Sequence, residues 1–524
     1  MTGRTLHQLY AEHKGKVSDK WFLYLTEYDR LLDPYRDEPV NLLEIGIQNG
    51  GSLEIWSKYF KNYQTLIGCD MNPGCAYLCY EDPRINVVIG DAGAPETRDR
   101  IARRTPLFDI IIDDGSHRSS DMIKAFCLYF PLLASGGIYI VEDMHCSYWE
   151  SFEGGLDNPF SAVVFFKRLA DILNYKKWVT PKVRADNLRG FFWKYDCRID
   201  EECLSQIQSV EFLNSVCVVR KASVEGKYEN VACEHLFGEY REKPLCLLEI
   251  GTDEGTSLKN WSTYFKNHQT LIGCGIHSDR ACMNFNDPRI EVIAGDAKSP
   301  QVFRQITRCS PQFDIIVDQG SRDSGDMIRT FAMYFPVLAN DGIMMIRDIY
   351  HGYGEGLEKA LFDPFSAVIF IDRLIDILNY DHWGVPRMRT DFLHSYFLRY
   401  QCMIEEDALA DLHSIKFTDS SCIIRKASTS ANALGRRIVG GVEEKVVTGI
   451  AQSRETYFSM DQTFNPWTKL AFVREELTCA KLMLDEACGQ RNNISARNSP
   501  PKTHPLKDAG HWVISRIGES KKEK

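Results

Sequence analysis

The sequence predicts an α/β protein of two tandem, doubly wound parallel sheets followed by a C-terminal helical tail. Two observations carry that prediction. The chain repeats itself without a gap at a distance of 205 residues, and each repeat alternates short apolar runs with segments of helical periodicity. Residues 40–70, VNLLEIGIQNGGSLEIWSKYFKNYQTLIGCD, and residues 245–275, LCLLEIGTDEGTSLKNWSTYFKNHQTLIGCG, agree at 20 of 31 positions. The offset persists through Asp91 and Asp296, Pro159 and Pro364, Asn174 and Asn379, and Trp178 and Trp383, and it ends where Arg220–Ser223 meets Arg425–Ser428. A period this long describes a doubled domain rather than a solenoid unit.

Within the first repeat the expected strands are Leu42–Ile45, Thr65–Cys69, Ile85–Ile89, Phe108–Ile112 and Gly137–Val141, each bounded by Gly or Asp. Alternation of such runs with helices implies parallel strands with crossover helices on both faces. Ligands in these sheets bind beyond the carboxyl ends of the strands, where strand order reverses. The chain divides into a first domain over 1–223, its repeat recognisable from about residue 19, and a second over 224–428. A helical extension over 429–490 and a flexible tail over 491–524 complete it.

The tail has 15 basic and 11 acidic residues, against a net charge of −10 for the whole chain. In Asn465-Pro466-Trp467-Thr468, Thr468 is expected to cap a helix. Leu470, Val473, Leu477, Ala480, Leu484 and Ala487 follow at spacings of three and four, as a short coiled-coil seam or as a face packed on the domains.

With 524 residues the chain is too long for one core, and 44% hydrophobic and 26% charged residues mark it as globular. The negative net charge disfavours binding nucleic acid through bulk phosphate neutralisation. The 17 cysteines form no CxxC pair, which reads as reduced thiols in a cytoplasmic protein. No leader pattern and no run of 18 apolar residues is present, so neither secretion nor a membrane span is expected.

The chemistry concentrates at the strand ends of the first repeat. The first strand runs into Glu44-Ile45-Gly46-Ile47-Gln48-Asn49-Gly50-Gly51-Ser52, a turn whose glycines let backbone approach a ligand. The second ends at Asp70 and the third at Gly90-Asp91-Ala92. The fourth runs into Asp113-Asp114-Gly115-Ser116-His117, and the fifth into Glu142-Asp143-Met144-His145. Crowded carboxylates repel one another unless a cation sits among them, and oxygen ligands suit Mg²⁺, Mn²⁺ or Ca²⁺. A nearby His can take the proton of a hydroxyl whose pKa such a cation lowers.

These residues resemble the class I S-adenosylmethionine-dependent methyltransferases, which have a Rossmann-like sheet. The Gly46-to-Gly50 spacing departs from the G-x-G-x-x-G of nicotinamide enzymes. The resemblance implies S-adenosylmethionine as cofactor, with Glu44, Gly46, Gly50 and Ser52 on its methionine side, Asp70 on the ribose, and Asp91 and Ala92 by the adenine. The DDGSH and VEDMHxSYW stretches are similar to one branch, the metal-dependent O-methyltransferases of macrolide deoxysugars and the cephalosporin hydroxylase-like proteins. The likeness runs from about residue 5 to 180 and includes Ser18-Asp19-Lys20-Trp21. It implies Asp114, Glu142 and Asp143 as ligands of a divalent metal, Mg²⁺ by implication, with His117 as general base and Asp113 beside the cofactor. His145 belongs to the motif in either a supporting or a catalytic role.

The second repeat keeps Gly251, Gly255, Ser257 and Asp296. It has Gly275 in place of Asp70, Gln319 of Asp114, Arg322 of His117 and Arg347 of Glu142, and retains Asp348. The two arginines fit a structural substitute for a metal, or a hold on an anionic group. The expectation is an O-methyltransferase active in the first repeat only, acting on a sugar hydroxyl of a polysaccharide or glycosylated metabolite, the repeats packed as an internal pseudo-dimer and the tail helix open to further assembly. A non-catalytic scaffold of glycan modification and an oxidoreductase on the same scaffold are the alternatives.

Overall fold

The computed structural model describes residues 3–175, 183–223, 236–252, 255–276, 285–349, 363–452 and 456–497, with side chains to residue 488. The first repeat builds strands β2 (Asn41–Ile45), β3 (Thr65–Asp70), β4 (Ile85–Ile89), β5 (Phe108–Asp113), β6 (Leu133–Val141), β7 (Ile207–Leu213) and β8 (Val216–Lys221), after a short β1 (Ser18–Trp21). They lie in the order β4-β3-β2-β5-β6-β8-β7, parallel from β4 through β6 and antiparallel over the last two. The Ile- and Leu-rich runs of β2 and β5 are buried on both faces, as a parallel sheet covered by helices requires. The second repeat lays out β9 (Cys246–Ile250), β10 (Thr270–Gly275), β11 (Ile290–Ala294), β12 (Phe313–Asp318), β13 (Leu338–Arg347), β14 (Leu412–Thr418) and β15 (Ser421–Lys426) in the corresponding order. Each half has the class I methyltransferase fold.

The two halves form one sheet. β14 pairs antiparallel with β7, which makes a continuous sheet of 14 strands. In that register Lys416 faces Glu211, the residue 205 positions earlier, and the flanking pairs are exchanged symmetrically: Ile415 with Phe212, Phe417 with Val210. The turns behind the seam are reciprocal too. Asn379 Oδ1 accepts from the Ser215 amide and Asn174 Oδ1 from the Ser420 amide, each at 2.9 Å.

The tail differs from its expected form. Residues 429–452 hold a short helix (Thr429–Asn432) and then β16 (Arg437–Gly440), which crosses back to the first repeat and pairs antiparallel with β1. The long helix spans Pro466–Arg497. Its cap is Asn465 rather than Thr468: the Asn465 Oδ1 accepts from the Trp467 amide at 3.0 Å. Pro466 lacks an amide hydrogen and suits the first helical position, which moves the cap one residue upstream of it. Thr468 instead accepts from the Leu156 amide of the first repeat at 3.2 Å.

The apolar stripe is not the buried face. Val473, Leu477 and Leu484 are exposed, whereas Thr468, Ala471, Phe472, Glu475 and Cys479 are buried. Polar anchoring decides the rotation. Glu475 accepts from Arg373 Nη1 at 2.7 Å and from the Ser395 amide at 2.6 Å, so turning the apolar stripe inward would leave buried partners unsatisfied. Of the tail expected to be flexible from 491, residues 498–524 lie outside the described residues. No helix among the described residues is long and apolar enough to cross a membrane. The described cysteines are all free thiols.

Candidate functional site

Strand order reverses between β2 and β5, and the chain opens a cavity of about 290 Å³ there. Of the residues expected from sequence, Glu44, Gly46, Ser52, Asp70, Asp114, His117 and Asp143 line it. Gly46 has φ +85°, and a Cβ there would stand 2.0 Å from the Asp114 carbonyl oxygen, so only glycine lets the two strand ends approach. Glu44 is buried beneath the turn and accepts from Ser52 Oγ at 2.6 Å. Its Oε1 is buried with no hydrogen-bond partner.

Asp70 faces the same turn. Its Oδ2 accepts from the amides of Ile47 at 3.0 Å and Gln48 at 2.9 Å, and its Oδ1 from the Asn72 amide at 2.8 Å. Gly50, in the left-handed region, opens the helix Gly51–Tyr59 outside the lining. Asp91 and Ala92 follow β4 away from the cavity, where Asp91 accepts from the Gly93 amide at 2.8 Å. Asp113 is buried behind the lining. Burial pushes its carboxyl up to about 7, and its Oδ2 is also unpartnered.

Asp114, His117 and Asp143 each offer an atom within 4.8 Å of the others. His117 Nε2 lies 3.9 Å from Asp114 Oδ1 and 3.4 Å from Asp143 Oδ2, and its Nδ1 is buried without a partner. His117 and Asp143 both sit in the left-handed region, at φ 58° and 51°. Non-glycine residues hold that conformation where their surroundings impose it. For Asp143 the surroundings are explicit: its Oδ1 accepts from Tyr24 OH at 2.7 Å and Trp21 Nε1 at 3.2 Å. That leaves Oδ2 toward the cavity. Burial opposes the Asp143 charge, yet His117 and then His145 hold its carboxyl below the usual range.

Glu142 stands outside the lining, behind Lys20, which lines the cavity. The Lys20 ammonium lies 2.5 Å from Asp114 Oδ2, 2.6 Å from Glu142 Oε1 and 3.7 Å from Glu44 Oε1. Tyr28 OH donates to the same Glu142 Oε1 at 2.5 Å, so both contacts fall on one carboxylate oxygen. Burial opposes the charge on Lys20, but Asp114, Glu142 and Glu44 outweigh it and hold its pKa well above the usual lysine value. One ammonium against three carboxylates leaves excess negative charge. Burial pushes Glu44 up, and burial and then Asp114 push Glu142 up. Such a cluster attracts a further cation.

His145 lies outside the cavity lining. Burial lowers its pKa to about 4, its Nδ1 is 2.6 Å from Ser215 Oγ, and its ring meets Trp149 edge-on.

Sequence reasoning assigned no role to Lys20, Tyr24, Tyr28, Asn49, Arg437 or Val447. Lys20 lies within the quoted Ser18–Trp21 stretch, which was a signal. The tail residues carried none: Arg437 and Val447 line the cavity from more than 290 positions away in sequence. Arg437 stacks over the Trp21 ring and donates to Asp19 Oδ2 at 2.8 Å. Asn49, fully buried, accepts from the amides of Val446 at 2.8 Å and Val447 at 3.0 Å and donates to the Val447 carbonyl at 2.9 Å.

The corresponding place in the second repeat is differently bonded. Glu249 accepts from Trp261 Nε1 at 2.9 Å and Gln319 Nε2 at 2.8 Å, and Gln319 in turn accepts from Arg347 Nη1 at 3.0 Å. Arg322 approaches Asp348 to 3.9 Å. Side-chain amide and guanidinium groups stand where the first repeat sets carboxylates.

No family model matches the chain. It is 36% identical over 171 residues to the 8-demethyl-8-alpha-L-rhamnosyl tetracenomycin-C 2'-O-methyltransferase of Streptomyces olivaceus, covering 31% of this chain and 44% of that one. It is 38% identical over 144 residues to the mycinamicin VI 2''-O-methyltransferase of Micromonospora griseorubida, covering 26% of this chain and 35% of that one. The chain thus spans less than half the length of these relatives. Among solved structures, the mycinamycin-pathway methyltransferase in complex with Mg, SAH and mycinamycin VI aligns at a TM-score of 0.34 with 27% identity, over 43% of this chain and 56% of that one. The chain is a protein of class I S-adenosylmethionine-dependent methyltransferase fold whose sequence relatives are O-methyltransferases.

Proposed function

We propose that the protein is an S-adenosylmethionine-dependent, divalent-metal-assisted O-methyltransferase, active in the first repeat only, that methylates a sugar hydroxyl of a polysaccharide or glycosylated metabolite. One observation carries the reading: a single cavity joins the glycine turn and Asp70 to the Asp114, His117 and Asp143 cluster. Both curated relatives described above are named as O-methyltransferases, of a rhamnosyl tetracenomycin and of mycinamicin VI.

Asp114, Asp143 and Glu142 would hold the cation. The charge excess around Lys20 fits a site that takes positively charged groups. The cation, when bound, supplies polarisation of the acceptor hydroxyl, and the donor a methyl group on a sulfonium. Glu44, Gly46, Gly50, Ser52 and Asp70 would seat the donor, with Asp91 and Ala92 toward its adenine and Asp113 beside it. His117 would accept the proton of the acceptor hydroxyl as its oxygen takes up the methyl group. The Asp114 and Asp143 carboxylates, 3.9 and 3.4 Å from His117 Nε2, stabilise the imidazolium that results.

The second repeat is a partner in an internal pseudo-dimer. The continuous sheet and the reciprocal Asn379–Ser215 and Asn174–Ser420 bonds support that role. The reading is tested by incubating the full chain with S-adenosylmethionine, Mg²⁺ and glycan extracts and searching by mass spectrometry for products heavier by one methylene group. Such products should vanish with EDTA and with Asp114→Ala or His117→Ala. Their survival in all three would overturn it, and a protein that binds glycan without transferring methyl would point to a scaffold.

A further inference from the structure

The reciprocal bonds between the repeats are symmetric in geometry but not in what lies behind them. Asn379 is buried at the end of the helix Ala367–Leu378, its Nδ2 tied to the Ile375 carbonyl at 3.0 Å and its Oδ1 to the Ser215 amide at 2.9 Å. Ser215 is the left-handed residue of the β7–β8 turn, at φ 66°. A second contact clamps the same turn: His382 Nε2 lies 2.6 Å from Asn214 Oδ1.

From Ser215 the network leads directly to the site. Its Oγ lies 2.7 Å from Tyr24 OH and 2.6 Å from His145 Nδ1, and its carbonyl accepts from the Met144 amide at 2.9 Å. Tyr24 OH donates to Asp143 Oδ1 and also receives the Asp143 amide, at 3.1 Å. The turn thus grips both sides of the left-handed Asp143: its amide and carboxylate through Tyr24, and the next amide through the Ser215 carbonyl. In the mirrored direction Asn174 holds Ser420, and the Ser420 carbonyl accepts from the Asp348 amide at 2.7 Å. There, the chain has Gln319 where the first repeat has Asp114.

We infer that Asn379 of the second repeat is a positioning residue for the first repeat's site, acting through Ser215 and Tyr24 to fix the Asp143 carboxylate. The inference rests on the reading of Asp143 as a metal ligand. It gives the second repeat a task that survives the loss of its own carboxylates: it supplies one end of the brace on which the other repeat's ligand is built. Hydrogen-bond partners that orient a ligand influence metal affinity even where they never touch the ion.

The test is Mn²⁺ binding to the full chain, followed by the loss of the free-ion electron paramagnetic resonance signal, with thermal stability measured alongside. Asn379→Ala is expected to weaken Mn²⁺ binding about tenfold, while the mirror variant Asn174→Ala, which removes the matching bond, stays within about twofold of wild type. Asn379→Ser, which deletes the amide carbonyl but keeps a polar group, replaces Asn379→Ala if that variant does not fold. Joined to Tyr24→Phe, Asn379→Ala should add little further loss, because both cut the same connection. Wild-type affinity in Asn379→Ala, or equal weakening in the two mirror variants, would overturn the positioning role. Absence of Mn²⁺ binding by the wild-type chain would overturn the metal reading itself, and this inference with it.

Discussion

Glu211 and Lys416 occupy equivalent positions of the two repeats and face each other where β7 and β14 join the halves into one sheet. A residue that meets its own counterpart cannot be the same charged type in both copies without setting like charges opposite. Glutamate in one copy and lysine in the other remove that conflict and make the joint specific to the tandem chain. Arg30 adds a second cation, its Nη2 2.8 Å from Glu211 Oε1. Burial pushes the Glu211 carboxyl up, but Arg30 and then Lys416 outweigh it and hold it at about 2, while burial pushes the Lys416 ammonium down to about 8.

Removing that carboxylate takes one of the two partners of Arg30, whose Nε keeps Glu27 at 2.8 Å, and the charge facing the half-buried Lys416. Glu211→Gln is expected to destabilise the folded protein by about 1–3 kcal/mol, measured by urea denaturation near neutral pH. The sign of the pH dependence follows from the lowered folded-state value. The unfolded chain takes up the proton first, so the contribution of Glu211 is complete above about pH 4.5 and is lost as pH falls toward about 2. Over that window the wild type should lose more stability than Glu211→Gln, and parallel acid-denaturation curves would exclude the linkage.

The seam also marks where local sequence stops informing on the fold. The apolar runs ending at Ile45, Cys69, Ile89 and Ile112 coincide with β2 to β5, because strands buried on both faces must be continuously apolar. The pairing of β7 with β14 depends on edge geometry between segments about 200 positions apart, which no window of sequence contains. The grouping of Asp114, His117 and Asp143 followed from neighbouring strand ends. Lys20 did not, since its place among carboxylates is set by β1, a four-residue strand whose partner β16 comes from the tail. The tail helix misled for a related reason: its rotation answers to Arg373 and Ser395, not to its own apolar period.

Lys20 balances a cluster that would otherwise be three buried or half-buried carboxylates. Lys20→Met should lower stability by about 3–5 kcal/mol, as expected for removing one member of a buried charge network. A divalent ion could neutralise the same oxygens. Added Mg²⁺ should therefore raise the melting temperature of Lys20→Met more than that of the wild type. Equal increments in both would show that the ammonium and the metal do not share the cluster.

Asn49 ties Val446 and Val447 of the tail over the glycine turn, while backbone bonds with His13, Gly15 and Val17 hold Gly441–Glu443 separately. Asn49→Ala removes all three hydrogen bonds to Val446 and Val447 and leaves their backbone groups to find other partners, at about 1–3 kcal/mol per buried group left unsatisfied. Amide exchange across 444–449 should accelerate, while exchange at 441–443 and in β2 and β5 stays unchanged. Uniform acceleration would mean that Asn49 supports the whole domain rather than the strap.

The last prediction concerns stoichiometry. The second repeat keeps the glycines at both ends of its turn, with Gly251 at φ 88° and Gly255 at φ 70°, in the left-handed region like Gly46 and Gly50 of the first. It lacks the carboxylate that braces that turn in the first repeat, because Gly275 replaces Asp70, whose oxygens receive three amides there. Calorimetric titration of the full chain with S-adenosylhomocysteine should give one site. Asp70→Gly, which copies the second repeat's residue into the first, should abolish it, since the turn amides and any ribose hydroxyls lose their common acceptor. Two equivalent sites in the wild type, or one undiminished site in Asp70→Gly, would place donor binding on the glycines alone and return the second repeat to the list of active centres.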